Sequence, residues 1–370
     1  MRLCFLADAD SIHTRKWVNS FTHDGREVRL ISRTPYTPQP VPLGIDFEHV
    51  TGTPGPVPGL ALLSTIIKYW FAVRRAQPEI VHAHRADAYG VYGALTGRHP
   101  FVLTAWGSDI LITPKKSRWR KWLVQHALKK ADLITCDADH LRDRMVELGA
   151  DRQKIHLILF GVDAELFHPR RRDPHWKSRY GWSPMDPVII SLRSLLPIYD
   201  VESLVRAAPL VLQQVANARF FVTGNGALRP GLEELAHTLG VSAHVHFAGM
   251  LPYADLPICL ASADVYVSTS LSDAGLASST AEAMASELPV VVTDFGDNRQ
   301  WVHEDQGGFL VPLQDPQMLA EKIVRLLNDA PFRKRCGSYN RALIAERNCL
   351  QKEMRKMDFL YDKLYKEHYS

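Results

Sequence analysis

Short apolar runs separated by amphipathic stretches recur along this chain, and they leave it few ways to fold. RLCFLA (2–7), VRLIS (28–32), IVHAH (80–84), FVLTAW (101–106), LITCD (133–137) and HLILF (156–160) are each too short for an isolated helix. Strand–helix–strand alternation of this kind predicts a parallel sheet with helices on its faces. The alternation stops over 161–186, where proline, glycine and charge replace any apolar period. It resumes with PVIISLR (187–193), RFFVTGNG (219–226), HVHFAGM (244–250), DVYVSTS (264–270) and LPVVVTD (288–294), with helical patterns at 200–215, 230–239 and 278–286. The expected architecture is α/β: two Rossmann-like doubly wound domains in tandem, facing a central cleft. The expected boundaries are 1–165, a linker at 166–186, 187–345, and a C-terminal helix over 346–370 that crosses back to the first domain. Ligands of such sheets bind beyond the carboxyl ends of the strands, so the cleft is the expected site.

Charge and cysteine usage narrow the function classes. A formal charge of +4 is mild for 370 residues and gives no global nucleic-acid signal. Its distribution is uneven: KKSRWRKWLVQHALKK (115–130) holds seven lysines and arginines, two tryptophans and no acid. Such a segment suits an anionic membrane surface, and it equally suits a solvated helix whose tryptophans pack inward. The five cysteines are widely spaced without a CxxC pair, as in a chain with reduced thiols. The segment MRLCFLA reads as a first strand, and no run approaches the roughly 20 apolar residues that span a bilayer. The expected location is cytoplasmic, with peripheral attachment to the inner face of the plasma membrane if the basic segment binds lipid.

The segment SDAGLASSTAEAMASELPVVVTD (272–294) raises a chemical question, because a loop of small residues leads into a helix-like run. Gly224, Gly226, Gly249 and Gly275 likewise follow strand-like runs. Small residues allow close backbone approach to a ligand. A helix starting near Ser278 offers free N–H groups and a positive dipole end to a phosphate. Glu282, one turn inside, can reach past a phosphate and accept two hydroxyl hydrogen bonds from a ribose. The plainer reading is an ordinary helix start favoured by serine and glutamate.

Seen together, TAWGSDI (104–110), FGVDAELFHP (160–169), SLRSLLPIYD (191–200), VTGNGALRPGLEELA (222–236), VHFAGMLPYADLPICLASADVYVSTS (245–270) and AEAMASELPVVVTD (281–294) give the chain a family likeness. It resembles the retaining glycosyltransferases of family 4, two-lobed enzymes of the glycosyltransferase-B fold, over nearly its whole length. The resemblance implies a nucleotide-diphosphate sugar donor on the second domain and a saccharide or lipid-linked acceptor on the first. It implies no cofactor and no metal, and a role in cell-surface polysaccharide, lipid-linked saccharide or glycolipid synthesis. Arg193 matches the family's diphosphate-binding arginine, and Glu282 matches the second glutamate of its Glu-x7-Glu pattern. Ala274 stands where the first glutamate is expected, so a one-residue shift would give its catalytic or sugar-contacting part to Asp273. The backbone of Gly275, Leu276 and Ala277 would complete the sugar and phosphate contacts, and Gly224 is expected on the donor side as well. Tyr199 stands about where the family has a lysine.

In the first domain the resemblance brings Trp106, in a position where the family often has a histidine bonded to the donor sugar, toward the cleft. Asp109 is either a catalytic or orienting carboxylate or a helix cap. His13, Arg15 and His84 are expected on the acceptor side. His82 shares a strand face with His84, but a metal pair lacks a third ligand of recognisable spacing. Two rival functions stay in view. The Tyr199 and Ala274 departures also fit a catalytically degenerate nucleotide-sugar-binding partner of an active transferase. A nicotinamide-dependent oxidoreductase fits two doubly wound halves, but the first strand leads into DADSIH rather than G-x-G-x-x-G.

Overall fold

The apolar runs become the strands of two all-parallel sheets. The computed structural model describes residues 1–23, 25–35, 45–51, 58–273 and 275–369. The chain divides into one unit of Met1–Phe160 with Gln351–Ser370 and a second of Gly161–Leu350. In the first unit β1 (Arg2–Leu6), β2 (Glu27–Ser32), β3 (Ile45–His49), β4 (Ile80–His84), β5 (Phe101–Thr104), β6 (Leu133–Cys136) and β7 (Ile155–Leu157) lie in the order β3-β2-β1-β4-β5-β6-β7. Every residue of β4, β5 and β6 is buried, as expected of a sheet covered on both faces.

The second unit repeats the plan. Strands β8 (Val188–Ser191), β9 (Arg219–Thr223), β10 (Val245–Gly249), β11 (Val265–Ser268), β12 (Val290–Thr293) and β13 (Gly308–Val311) lie in the order β10-β9-β8-β11-β12-β13. The strand order reverses between β1 and β4 in one sheet and between β8 and β11 in the other. Those two points are where a doubly wound sheet opens a crevice at its carboxyl ends. Each unit therefore carries one topologically favoured binding position.

The C-terminal helix Leu350–Tyr369 belongs with the first unit. Polar groups tie it there. The Tyr361 hydroxyl lies 2.5 Å from His82 Nδ1, and His82 Nε2 continues to Thr104 Oγ1 at 2.6 Å, all of it buried. Arg26 Nε donates to Asp358 at 2.6 Å, and Glu353, 1% exposed, accepts the Leu159 amide at 2.9 Å.

Residues 166–186, expected as a linker, pack on the second unit instead. Trp176 is 2% exposed, with its ring centroid 5.0 Å from that of Phe221 on β9. Lys177 is buried and donates to the Asp186 carbonyl at 2.6 Å and to Asp264 at 3.1 Å. The aromatic residues that broke the apolar period are therefore a cover for one sheet face. The chain enters and leaves the second unit at neighbouring points: the Val162 amide donates to the Asn348 carbonyl at 2.8 Å, and the Leu350 amide to the Val162 carbonyl at 3.0 Å.

Candidate functional site

At the β8/β11 switch point the loops converge on Arg193, two residues beyond β8. The side chain is buried, and Nη2 donates to Ser270 Oγ at 2.6 Å and to Asp273 Oδ1 at 2.5 Å. Nη1 lies 3.4 Å from Ser279 Oγ, in the first turn of the helix Ser278–Ala285. Burial opposes the charge, but Asp273 outweighs it and the guanidinium pKa is raised. Arg193 Nε is buried with no hydrogen-bond partner among the described residues.

Tyr199 ends the short turn Pro197–Tyr199, with its ring 4.3 Å below the Arg193 guanidinium. The aromatic side chain in the place expected for lysine thus holds the arginine by a cation–π contact. Gly224, at φ +97, brings the loop after β9 against the same residue. A Cβ there would stand 2.5 Å from the Arg193 carbonyl oxygen, so a larger residue would push the arginine loop away.

The helix Ser278–Ala285 begins at Ala277, which offers no side-chain cap, so its leading N–H groups are left for an outside acceptor. Gly275 and Leu276 are buried in the turn before it, and Ala277 is partly exposed. Ala274 lies outside the described residues. Glu282 is 4% exposed and accepts from the Tyr253 hydroxyl at 3.3 Å. Burial first, and then Glu282, raise the Tyr253 pKa far out of the physiological range. The structure thus gathers Arg193, Asp273, Tyr199, Gly224 and the turn before the helix. Sequence reading missed Ser270 and Tyr253, and it took Ser279 only as part of a helix start able to seat a phosphate, not as a neighbour of Arg193. Ser270 and Ser279 sit directly in YVSTS and SST, where hydroxyl residues crowd a strand end and a helix start.

The first unit has a different environment at its switch point. Trp106, beyond β5, has ring centroids 5.4 Å from His13, 5.5 Å from His84 and 5.9 Å from Phe160. Trp106 Nε1, His13 Nδ1 and both ring nitrogens of His84 are buried without hydrogen-bond partners among the described residues. Burial, then the neighbouring His13, lowers the His84 pKa to about 3, so its imidazole is neutral. Because His84 is 1% exposed, it forms a floor beneath Trp106 rather than a surface contact. Aromatic faces with neutral N–H donors match the C–H faces and hydroxyls of a sugar.

Two residues expected at this site do other work. Asp109 is completely buried, and its two oxygens accept the Ala86 amide at 2.6 Å and the Trp106 amide at 3.0 Å. Burial raises its pKa to about 6, against the pull of the Ala86 amide. Asp109 positions Trp106 and the loop after β4; its carboxylate does not reach the surface as a catalytic group would. Arg15 Nε donates to the Ala9 carbonyl at 3.0 Å, so it braces the loop after β1. Among the described residues no cluster of three or more His, Cys, Asp or Glu could hold a metal ion, and no helix is long and apolar enough to cross a membrane.

Comparison with known proteins bears on the family and the fold. The family model Glycosyl transferases group 1 matches residues 173–343, and Glycosyl transferase 4-like matches residues 2–138. EpsD of Bacillus subtilis (strain 168), named provisionally as a glycosyltransferase, is 28% identical over 279 residues, 71% of each chain. A GDP-mannose-dependent alpha-(1-6)-phosphatidylinositol monomannoside mannosyltransferase of Mycobacterium tuberculosis is 27% identical over 208 residues, 54% of this chain and 53% of the relative. This chain thus matches about half the length of the mycobacterial enzyme. Among solved structures, HepE from Anabaena in complex with UDP-glucose shares the fold, with a TM-score of 0.84 at 18% identity over 98% of this chain and 100% of that one.

Proposed function

Because the chain belongs to the family 4 glycosyltransferases, we propose that it transfers a sugar, with retention, from a nucleotide-diphosphate donor to a hydroxyl acceptor. In this reading the donor's diphosphate lies against the start of the Ser278–Ala285 helix, held by Arg193. Glu282 accepts from the ribose hydroxyls, and Asp273 with the Gly275–Ala277 backbone contacts the transferred sugar. The first unit takes the acceptor, with Trp106 and His13 lining its sugar side. The single observation that carries the reading is the meeting of a buried guanidinium with the uncapped start of that helix.

The chemistry asks little else of the protein. The bond from the sugar's anomeric carbon to the phosphate oxygen breaks, and its electron pair leaves on the diphosphate. Arg193 and the helix N–H groups stabilise that charge as it develops. The acceptor oxygen bonds to the anomeric carbon on the same face, and its proton passes to a leaving phosphate oxygen. No metal and no cofactor enters this scheme.

Relatives and neighbours bear names with GDP-mannose and UDP-glucose, so the donor base is to be found by experiment. Thermal melts with UDP, GDP, ADP and their sugars test the reading, because a ligand bound to the folded state alone raises its stability. One nucleotide should raise Tm in the wild type and fail to do so in Arg193→Ala. No shift with any of them would overturn the donor assignment.

A second reading has one observation in its favour: Arg193 is already engaged by Asp273 and covered by Tyr199. In that case the chain is a binding partner of an active transferase. A nucleotide sugar that stabilises the protein without any transfer or hydrolysis would select this reading.

A further inference from the structure

The first unit contains a cavity of about 480 Å³ that the preceding reading does not use. Its volume lies within the range of small-molecule sites. It opens at the carboxyl ends of β1, β2 and β4, which supply Asp8, Arg33 and Arg85, and the helix Arg118–Lys130 adds Trp119 and Arg120. Three guanidinium groups from three separate elements therefore border one space.

Two acids line the same space; each accepts a hydroxyl, and Asp87 is also paired with an arginine. Asp8 accepts the Tyr89 hydroxyl at 2.7 Å. Asp87 pairs with Arg85 at 3.1 Å and accepts the Thr113 hydroxyl at 2.9 Å. Arg33 has no carboxylate partner among the described residues. It is held over the rings of Tyr89 and Tyr92, 5.4 and 5.8 Å from their centroids, and donates to the Tyr92 hydroxyl at 3.3 Å. The tyrosines fix the position of this guanidinium while leaving its charge unneutralised. Arg120 is exposed and likewise unpaired by any acid among the described residues. Trp119, 58% exposed, offers an aromatic face beside it.

We propose that this cavity binds a phosphate group carried by the acceptor, with Arg33 and Arg120 on the phosphate and Trp119 against the sugar or polyol next to it. The inference rests on the assignment of the first unit to the acceptor, and it narrows the acceptor to a phosphorylated class. The rim suggests how such a phosphate is presented. Leu62, on the helix Pro58–Ala76, lines the cavity, and Leu63, Ile67 and Phe71 of that helix form a stripe 53%, 46% and 53% exposed at four-residue spacing. The basic helix Arg118–Lys130 also lines the cavity, and its Trp122 is 51% exposed. Exposed apolar and cationic groups on two helices that line the same cavity suit a phosphate that is esterified to a lipid, although a soluble sugar phosphate offers the same chemistry.

Binding of sn-glycerol 3-phosphate to the full chain, followed by tryptophan fluorescence and calorimetry, tests the proposal. Arg33→Gln and Arg120→Gln should each weaken binding by about tenfold or more, the loss expected for a charge-assisted hydrogen bond. Arg193→Gln should leave it unchanged. If instead Arg193→Gln abolishes binding and the other two do not, the phosphate belongs to the donor site and the proposal falls. Absence of binding in the wild type, both to the soluble probe and to phosphatidic acid vesicles, also overturns it. Vesicles that bind far more tightly than the soluble probe, in a manner lost with Phe71→Ser, identify the lipid-linked source; equal binding identifies the soluble one. Arg120 is exposed, so its variant folds normally and keeps the test decisive. The nucleotide-induced rise in Tm is read in the same variants. If it persists while phosphate binding is absent, this inference alone fails; if it is missing while phosphate binds, the donor reading fails instead.

Discussion

The two units share a topology and differ in what they place at the point where strand order reverses. At the β8/β11 reversal a charged pair, Arg193 with Asp273, is buried, hydrogen-bonded and steadied by an aromatic ring. At the β1/β4 reversal the equivalent depth is filled by neutral rings, Trp106, His13 and His84; Trp106 Nε1, His13 Nδ1 and both His84 ring nitrogens have no hydrogen-bond partner among the described residues. In the proposed reading the β8/β11 crevice meets the charge of the donor, and the rings of the β1/β4 crevice meet hydroxyls and C–H faces of the acceptor beside the arginine-bordered cavity proposed for its phosphate. The fold supplies the location and the side chains supply the chemistry.

The largest expected effect that tests this contrast falls on Arg193. Arg193→Ala should lower kcat for transfer by roughly 10²- to 10³-fold, the usual cost of removing one donor from a developing anion. A steady-state assay with a far-UV spectrum as a folding control checks it, and a kcat close to wild type would break the comparison. Next comes the partner carboxylate. Asp273→Ala leaves a guanidinium buried without compensation, a loss of roughly 3 kcal/mol or more in stability by analogy with other buried pairs. Calorimetric melts should show the drop. A nucleotide diphosphate that restores more Tm to this variant than to the wild type would mean that phosphate takes over the carboxylate's place.

The neutral crevice predicts a pH response. Burial pushes the His82 and His84 imidazoles down, His84 to about 3. The unfolded chain therefore binds protons below about pH 6.5 that the folded one refuses, and stability falls as pH drops through that window. Asp109, raised to about 6, acts in the opposite sense: its contribution is full below the unfolded carboxylate value and is lost as pH rises through about 6. His13, whose pKa burial and then Lys16 also lower to about 3, joins His82 and His84; three histidines oppose one aspartate, so acidification should lower Tm on balance, and His84→Phe should blunt the drop. Unchanged acid sensitivity in that variant would remove the histidines from the account. The smallest effect is expected at Glu282. Glu282→Gln keeps one acceptor, so donor Kd should rise by about tenfold or less with kcat nearly constant. A fall in kcat at unchanged Kd would contradict a ribose role.

Interior strands were legible because each is a continuous apolar run. Two of the four edge strands were not: IDFEH at β3 is half exposed and alternates, and GFLV at β13 is four residues with a glycine at its head. Both lie at the ends of their sheets, where one flank is open and the apolar signal halves. Within the site, Glu282 was singled out by residue type and place, and Arg193 and Asp273 by the family resemblance. Their coupling was hidden because Arg193 and Asp273 are separated by 80 positions and meet only through the sheet. Arg33 and Arg85 went unnoticed although each directly follows a strand run, VRLIS and IVHAH, much as Arg193 follows IISL. A cation just past a buried parallel strand was the pattern to look for. Trp176 and Trp182 misled in the other direction, since prolines and charges around them concealed two residues of the core.

That the chain enters and leaves the second unit side by side gives residues 161–350 the character of an inserted module. With Val162 paired to Asn348 and Leu350, the two ends already meet, so the fragment can be cloned on its own without stretching its backbone. On the donor assignment proposed above, such an excised module would let nucleotide selectivity be measured, exchanged or grafted without carrying along whatever recognises the acceptor.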